Sequence, residues 1–274
     1  VGGLFNALYK NKSKNIKRSD EDIKEAVNLW INNEKEAINI YGYIDYWDTS
    51  EVTDMSYLFC GDNTIGGNDK MKIHKLKGIK NWDVSNVINM SHMFYQAKTF
   101  NQPIGTWNVS NVTNMEAIFY QAKAFNQPLN TNTVTRSDGT TYTAWDVSQV
   151  TDMSYMFFQA IAFNKPIGTW NVSNVRNMNY MFCQARAFNK PIGNWNVSIV
   201  TDMKRMFFQA SSFNQPINTY TVTDSNDDNY ISWNVSNVRN MEAMFYDAKA
   251  FNQDISNWNV SNVTKYDDIF EKCR

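Results

Sequence analysis

The stretch FNQPIGTWNVSNVTNM, residues 100–115, decides the fold, because nearly the same words return from residues 163, 188 and 251. Aligning the chain on tryptophan gives eight starts: Trp47, Trp82, Trp107, Trp145, Trp170, Trp195, Trp233 and Trp258. They lie 35, 25, 38, 25, 25, 38 and 25 residues apart, so the unit is 25 residues with three insertions. The two larger spacings recur 88 residues apart, which points to duplication of a three-repeat block. Self-similarity at a fixed period of this length marks a repeat architecture.

With the Trp as position 0, the unit reads W-[DN]-[VT]-S-x-V-x-[DN]-M-x-x-[MLI]-F-x-x-A-x-x-F-N-[QK]-P-I. Phe holds position 12 in all eight copies, Met holds position 8 in seven, and all five prolines sit at position 21. Apolar residues at 8, 11, 12, 15 and 18 follow helical spacing, and the Asp or Asn at 7 reads as an N-cap. This predicts a short helix over about positions 8 to 17, ended by the proline. Ile at 22, Trp at 0 and Val at 2 match the strand of a leucine-rich repeat. The expected fold class is therefore α/β: a right-handed, leucine-rich-repeat-like solenoid of about eight strand–helix coils. One such unit cannot bury its own Trp, Phe and Met, so stacking must place Trp on Trp and Phe on Phe. The Asn at 19, in six copies from Asn101 to Asn252, is expected to bond backbone in a turn repeated from coil to coil.

The expected organisation is an N-terminal tail (1–19), a helical cap (20–46) and the repeats (47–274), with insertions at 61–81, 131–143 and 219–231. In the cap, Ile23, Ala26, Val27 and Trp30 lie on one helical face, and Ala37, Ile38 and Tyr41 suggest a second short helix. The insertions at 131–143 and 219–231 alternate Thr, Val and Tyr around polar turns, a hairpin signature. Their candidate contact residues are Arg136, Asp138, Tyr142, Tyr220, Asp227, Asp228 and Tyr230. Two readings stay open for them: a gripping device, or cover for the edge of the array. The insertion at 61–81 carries Lys70, Lys72, Lys75, Lys77 and Lys80 and reads as a solvated loop.

Chemistry is sparse. The net charge of −1 gives no footprint for nucleic acid or an anionic membrane, and no apolar run approaches a membrane span. Cys60, Cys183 and Cys273 do not recur with the repeat and imply no disulfide framework. His74 and His92 form no zinc spacing, so neither metal nor cofactor is expected. Eight N-x-[ST] sequons (Asn11, Asn108, Asn111, Asn171, Asn196, Asn234, Asn259, Asn262) follow mostly from the repeat wording. Position 1, expected on the concave face, reads Asp48, Asp83, Asn108, Asp146, Asn171, Asn196, Asn234 and Asn259. Asp and Asn alternate there indifferently, which fits a ligand-binding strip better than a catalytic carboxylate pair.

The wording WDVSNVTNM…MF…A..FNQ.I..W resembles the BspA-type leucine-rich-repeat family, which includes the 25-residue units of mycoplasma lipoproteins, microbial surface proteins and large DNA viruses. The resemblance covers about residues 47–274. It implies a non-catalytic scaffold that binds protein or glycan, a microbial or viral surface or host-interaction protein. The alternative is a structural component of a virion or cell envelope. It implies a cell-surface, secreted or virion-associated setting over the cytoplasm, and the near-zero net charge leaves no nucleic-acid partner expected. An enzyme acting on glycans through the Asp strip is the third reading.

Overall fold

The computed structural model describes residues 16–61, 73–224 and 226–273, with the side chains of 73–75 excepted. Lys70, Lys72, the side chains of His74 and Lys75, and the sequon at Asn11 lie outside the described residues.

The N-terminal segment forms as its apolar spacing predicts. Helix α1 (Ile23–Asn32) buries Ile23, Ala26, Val27 and Trp30, and α2 (Glu34–Tyr41) buries Ala37. Asn33 caps α2 by accepting from the Glu36 N–H at 3.3 Å. Gly42, at φ +73°, ends it. Residues 16–18, which the sequence assigns to the tail, join this body. Strand β1 (Ile16–Lys17) pairs in parallel with β2 (Trp47–Asp48). Arg18 is buried between Tyr41 and Trp47, its guanidinium 2.7 Å from the Asp22 carboxylate.

The repeats stack, but the strand–helix coil of a leucine-rich-repeat-like solenoid is not what they form. Among the described residues, apart from 3-10 turns at Ile44–Tyr46 and Ile73–Asn81, helix is confined to α1 and α2. Repeat four shows what replaces it. The N–H groups of Met153, Tyr155, Phe157 and Gln159 donate to carbonyls of the next repeat, at Asn177, Asn179, Met181 and Cys183, over 2.8–3.1 Å. Those of Met156, Phe158 and Ala160 donate three residues back, within their own repeat. The segment is thus a run of β-turns in which every second amide ties the unit to its neighbour. Such a path needs left-handed residues. Position 10 has positive φ in all eight repeats, and position 14 in seven, from Gln96 to Lys272. Each costs roughly 1 kcal/mol for a residue with a Cβ, and an inter-repeat hydrogen bond returns a comparable amount.

The expected strand is also missing. Around each Trp the chain makes turns, with Val112 N–H donating to Val109 and Trp107 N–H to Ile104. Parallel bridging falls instead on position 7, as single bridges from Asp54 through Asn89, Asn114, Asp152, Asn177, Asp202 and Asn240 to Lys265. The remaining strands among the described residues belong to the two inserted hairpins, β3 (Asn132–Thr135) with β4 (Thr141–Ala144), and β5 (Thr221–Thr223) with β6 (Asn229–Ile231). The end of the 61–81 insertion is not wholly a solvated loop, since Ile73–Asn81 buries Leu76 and Ile79.

The shared core is the one that stacking requires. Phe at position 12 forms a column, Phe59, Phe94, Phe119, Phe157, Phe182, Phe207, Phe245 and Phe270, with adjacent centroids 5.4–5.7 Å apart. Phe at position 18 forms a second, at 5.7–6.1 Å. Offset pairs of this kind contribute about 0.5–1.5 kcal/mol each beyond the area they bury. Every repeat's indole N–H meets a carbonyl; that of Trp145, for instance, donates to Ile104 at 2.8 Å. The Asn at 19 does what its recurrence predicts: the Asn126 N–H donates to the Asn101 side chain, and so on in sequence to Asn252. In three repeats, glycine at 23 is required by proximity. A Cβ on Gly105, Gly168 or Gly193 would stand 2.6–3.0 Å from the carbonyl of the next repeat's proline.

Candidate functional site

Position 1 is not a strand face beyond Asp48. In all eight repeats its side-chain oxygen turns back and accepts the N–H of the Ser two residues on, from Asp48 with Ser50 to Asn259 with Ser261, at 3.0–3.3 Å. These are Asx turns, which Asp and Asn satisfy equally. The Ser50 hydroxyl and amide hold the Asp48 carboxyl below the usual range, with Lys17 adding its charge.

The hairpins meet this strip. Tyr142 in β4 donates its hydroxyl to the Thr106 carbonyl at 2.6 Å, and Tyr230 in β6 donates to Asn194 at 2.5 Å. Both acceptors are the last residue of a repeat, so both hairpins fold back over the array at equivalent places. Their tips match as well: Arg136 N–H donates to Thr140 and Asp224 N–H to Asp228, with Gly139 (φ +84°) and Asp227 (φ +64°) at the turn. The re-entry is strained in both. Trp145 and Trp233 have φ of +49° and +45°, and each donates its N–H to the preceding Trp of the array, Trp107 or Trp195, not to its own repeat.

Beneath the second hairpin lies a polar cleft of about 380 Å³. Asn171 and Asn196 of the position-1 strip line one side of it with Ser173, and Thr223, Asp224 and Tyr230 of the hairpin line the other. The structure therefore brings Asn171 and Asn196 together with Tyr230. Under the first hairpin, burial raises the Tyr142 phenol, the Arg136 charge opposes that rise, and Asp83 adds a smaller upward push. Arg136 stacks over the Tyr142 ring at 4.8 Å. Asp138 binds Thr140 at the tip, which holds its carboxyl low. Tyr220 donates to the Asn194 side chain. Asp227 and Asp228 sit exposed at the turn, and Asp48, Asp146, Asn234 and Asn259 are not among the residues that line the second cleft.

Two features escape a reading of one unit at a time. Gln159 donates to Gln184 and Gln184 to Gln209, a side-chain ladder at position 14. Half-buried rings at positions 10 and 13 stack in a surface column, as in Tyr57 on His92 at 4.5 Å and Tyr95 on Tyr120 at 4.5 Å. Aligning the copies shows the residue types of both ladders, but not which of them face solvent.

The family described as "Mycoplasma protein of unknown function, DUF285" matches residues 28–142, 132–231 and 226–274. The chain belongs to this family. The DUF285 matches begin inside α1 and run through both hairpins, so they take in the second half of α1, α2, the repeats and the insertions. No curated protein and no solved structure matches the chain. Among the described residues of this DUF285 chain, no helix is long and apolar enough to cross a membrane.

Proposed function

We propose that the chain is a non-catalytic recognition scaffold whose protein or glycan ligand seats against the two inserted hairpins, the second of which roofs a polar cleft. The observation that carries this reading is the convergence of Asn171, Asn196, Asp224 and Tyr230 on one polar cleft. Amides, a carboxylate and a phenol edge supply donors and acceptors in fixed positions, which suits orientation of a polar ligand. The Asx turns support a binding role over hydrolysis, because one oxygen of each position-1 group is already engaged. The resemblance of the repeat wording to BspA-type arrays supports a microbial or viral surface setting, with host molecules as partners.

The test is an array of glycans and extracellular protein ligands probed with the intact chain. Variants lacking 131–143 or 219–231 are expected to lose the captured ligand while keeping the far-ultraviolet and tryptophan signals of the stack. Unchanged capture by both deletions overturns the reading. Glycan hydrolysis abolished by Asp48→Ala or Asp83→Ala would replace it with an enzyme.

A further inference from the structure

Position 6 forms an exposed column on the array: Thr53, Ile88, Thr113, Thr151, Arg176, Thr201, Arg239 and Thr264. Each N–H from Ile88 onward donates to the position-6 carbonyl of the repeat before, at 2.8–2.9 Å. The column is thus a parallel ladder with one rung per repeat, and its rungs are spaced about 4.8 Å apart. Beside it runs position 4, where Asn237 and Asn262 donate Nδ2 to the serine carbonyls of the preceding repeat at 2.7 Å.

Between these two columns lies a groove. In repeats five to eight it encloses about 570 Å³, lined by Arg176, Thr201, Asn237, Arg239, Asn262 and Thr264, with Ile199 as its one apolar side chain at position 4. Lys265 stands at its edge with Asp202. Toward the other end the same columns line a groove whose one charged group is Glu51, paired with Lys17. The basic character therefore belongs to one half. Neither Arg176 nor Arg239 has an ion-pair partner among the described residues. Asp202, the nearby carboxylate, already accepts the Lys204 N–H and the Asn240 amide.

The order of groups along the groove sets what it can hold. Arg176 and Arg239 stand two rungs apart, about 10 Å on ladder spacing. Between and beyond them, the hydroxyls of Thr201 and Thr264 donate to ladder carbonyls at 3.3 and 3.2 Å, leaving their oxygens to accept. The Asn237 and Asn262 carbonyl oxygens are further acceptors. Charge donors thus alternate with hydroxyl acceptors at a step close to the advance of one sugar ring in a linear glycan. An arginine fork suits a sulfate or carboxylate. No aromatic face lines this groove for base stacking, which disfavours single-stranded nucleic acid.

We propose that this groove binds a linear anionic polysaccharide, with sulfate or uronate groups on alternate sugars pairing with Arg176 and Arg239. It shares no lining residue with the hairpin cleft, so the two sites fail independently.

The experiment measures binding of the whole chain to fluorescent sulfated dextran and to polygalacturonate, with neutral dextran, poly-glutamate and poly-dT as competitors, across a salt series. The expected result is binding of at least one anionic glycan that weakens with salt and that neutral dextran does not compete. Arg176→Gln and Arg239→Gln are each expected to weaken it about fivefold to tenfold, and Arg136→Gln to leave it unchanged. Both arginines are exposed on the ladder, and circular dichroism checks that the variants stay folded. Preference for sulfated or uronate chains identifies the anion. Wild-type affinity in the double variant overturns the proposal, as does equal competition by poly-glutamate or poly-dT, which would mark the groove as a general polyanion surface.

Discussion

Phe182→Ala and Phe270→Ala make the same chemical change at the same repeat position, yet the stack predicts different costs. Phe182 is fully buried and lies 5.6 Å from Phe157, 5.7 Å from Phe207 and 4.2 Å from Phe188, with Trp195 at 6.3 Å. Truncation leaves a void walled on every side, which costs about 3–5 kcal/mol in a sealed core. Phe270 is 49% exposed and stacks on Phe245 alone, at 5.6 Å. Water reaches the space its ring leaves, so the loss is expected near 1 kcal/mol, about half the transfer energy of the ring. Native-state amide exchange resolves the difference repeat by repeat. The reporters are the Phe157, Phe182 and Phe207 amides, whose acceptors lie in the following repeats. At about tenfold per 1.4 kcal/mol, their protection should fall a hundredfold or more in Phe182→Ala and stay near wild type in Phe270→Ala. Equal losses in the two variants, or a loss below about 1 kcal/mol in Phe182→Ala, would refute the claim that neighbouring units hold one another up.

Gly168→Ala places a methyl 2.6 Å from the Pro191 carbonyl and should cost about 1–3 kcal/mol by urea unfolding, whereas Gly139→Asn, at an open left-handed turn, should be tolerated. Burial against Tyr57 and Tyr95 pushes the His92 imidazole below its ordinary value. The unfolded chain then binds the proton more readily, so this group's share of stability is full above pH 6.5 and declines as the pH falls toward the folded value. In His92→Phe, a melting series from pH 7.5 to 5 should show a shallower slope than wild type. Burial raises the Cys183 thiol to about 12, so at pH 8 roughly one molecule in ten thousand carries the thiolate. Iodoacetamide should therefore label the half-buried Cys273 well before Cys183, as read by peptide mass mapping.

What the sequence disclosed was what one residue type does over and over. The Phe columns, the Asn ladder from Asn101, the Ile23–Trp30 face and both hairpins were readable because recurrence and alternation specify them directly. The helix and strand were misread for a physical reason. Met153, Met156, Phe157 and Ala160 point inward at spacings of three, one and three residues. A helix and a run of β-turns both give that pattern. The Asp152 side chain accepts the Ser154 N–H at 2.8 Å, which is the start of a helix cap and of an Asx turn alike. Even Tyr155 and Gln159, at φ of +55° and +52°, are types that a helix also accepts. The decision lies in whether the Phe157 amide bonds its own unit or the next, which is a property of two units together. The site divides the same way. Tyr142, Tyr230 and the Asn of position 1 stood out singly, but their meeting depends on the hairpins folding back. The repeat wording leaves position 6 unspecified, so Arg176 and Arg239 did not stand out, and only the ladder there gives them a common spacing.

The junction between the last residue of one repeat and the next Trp has a use beyond this molecule. In the plain repeats that arc is closed by a local turn, as in Trp170 to Ile167, and not by a bond between units. Both hairpins enter there, and the neighbouring Phe columns keep their spacing across them. A foreign peptide spliced at 169–170 would interrupt no backbone ladder, whereas 194–195 already carries the Tyr220 and Tyr230 bonds of the second hairpin. The array thus offers numbered ports along one edge, from which an engineer can hang loops at chosen multiples of the rung spacing.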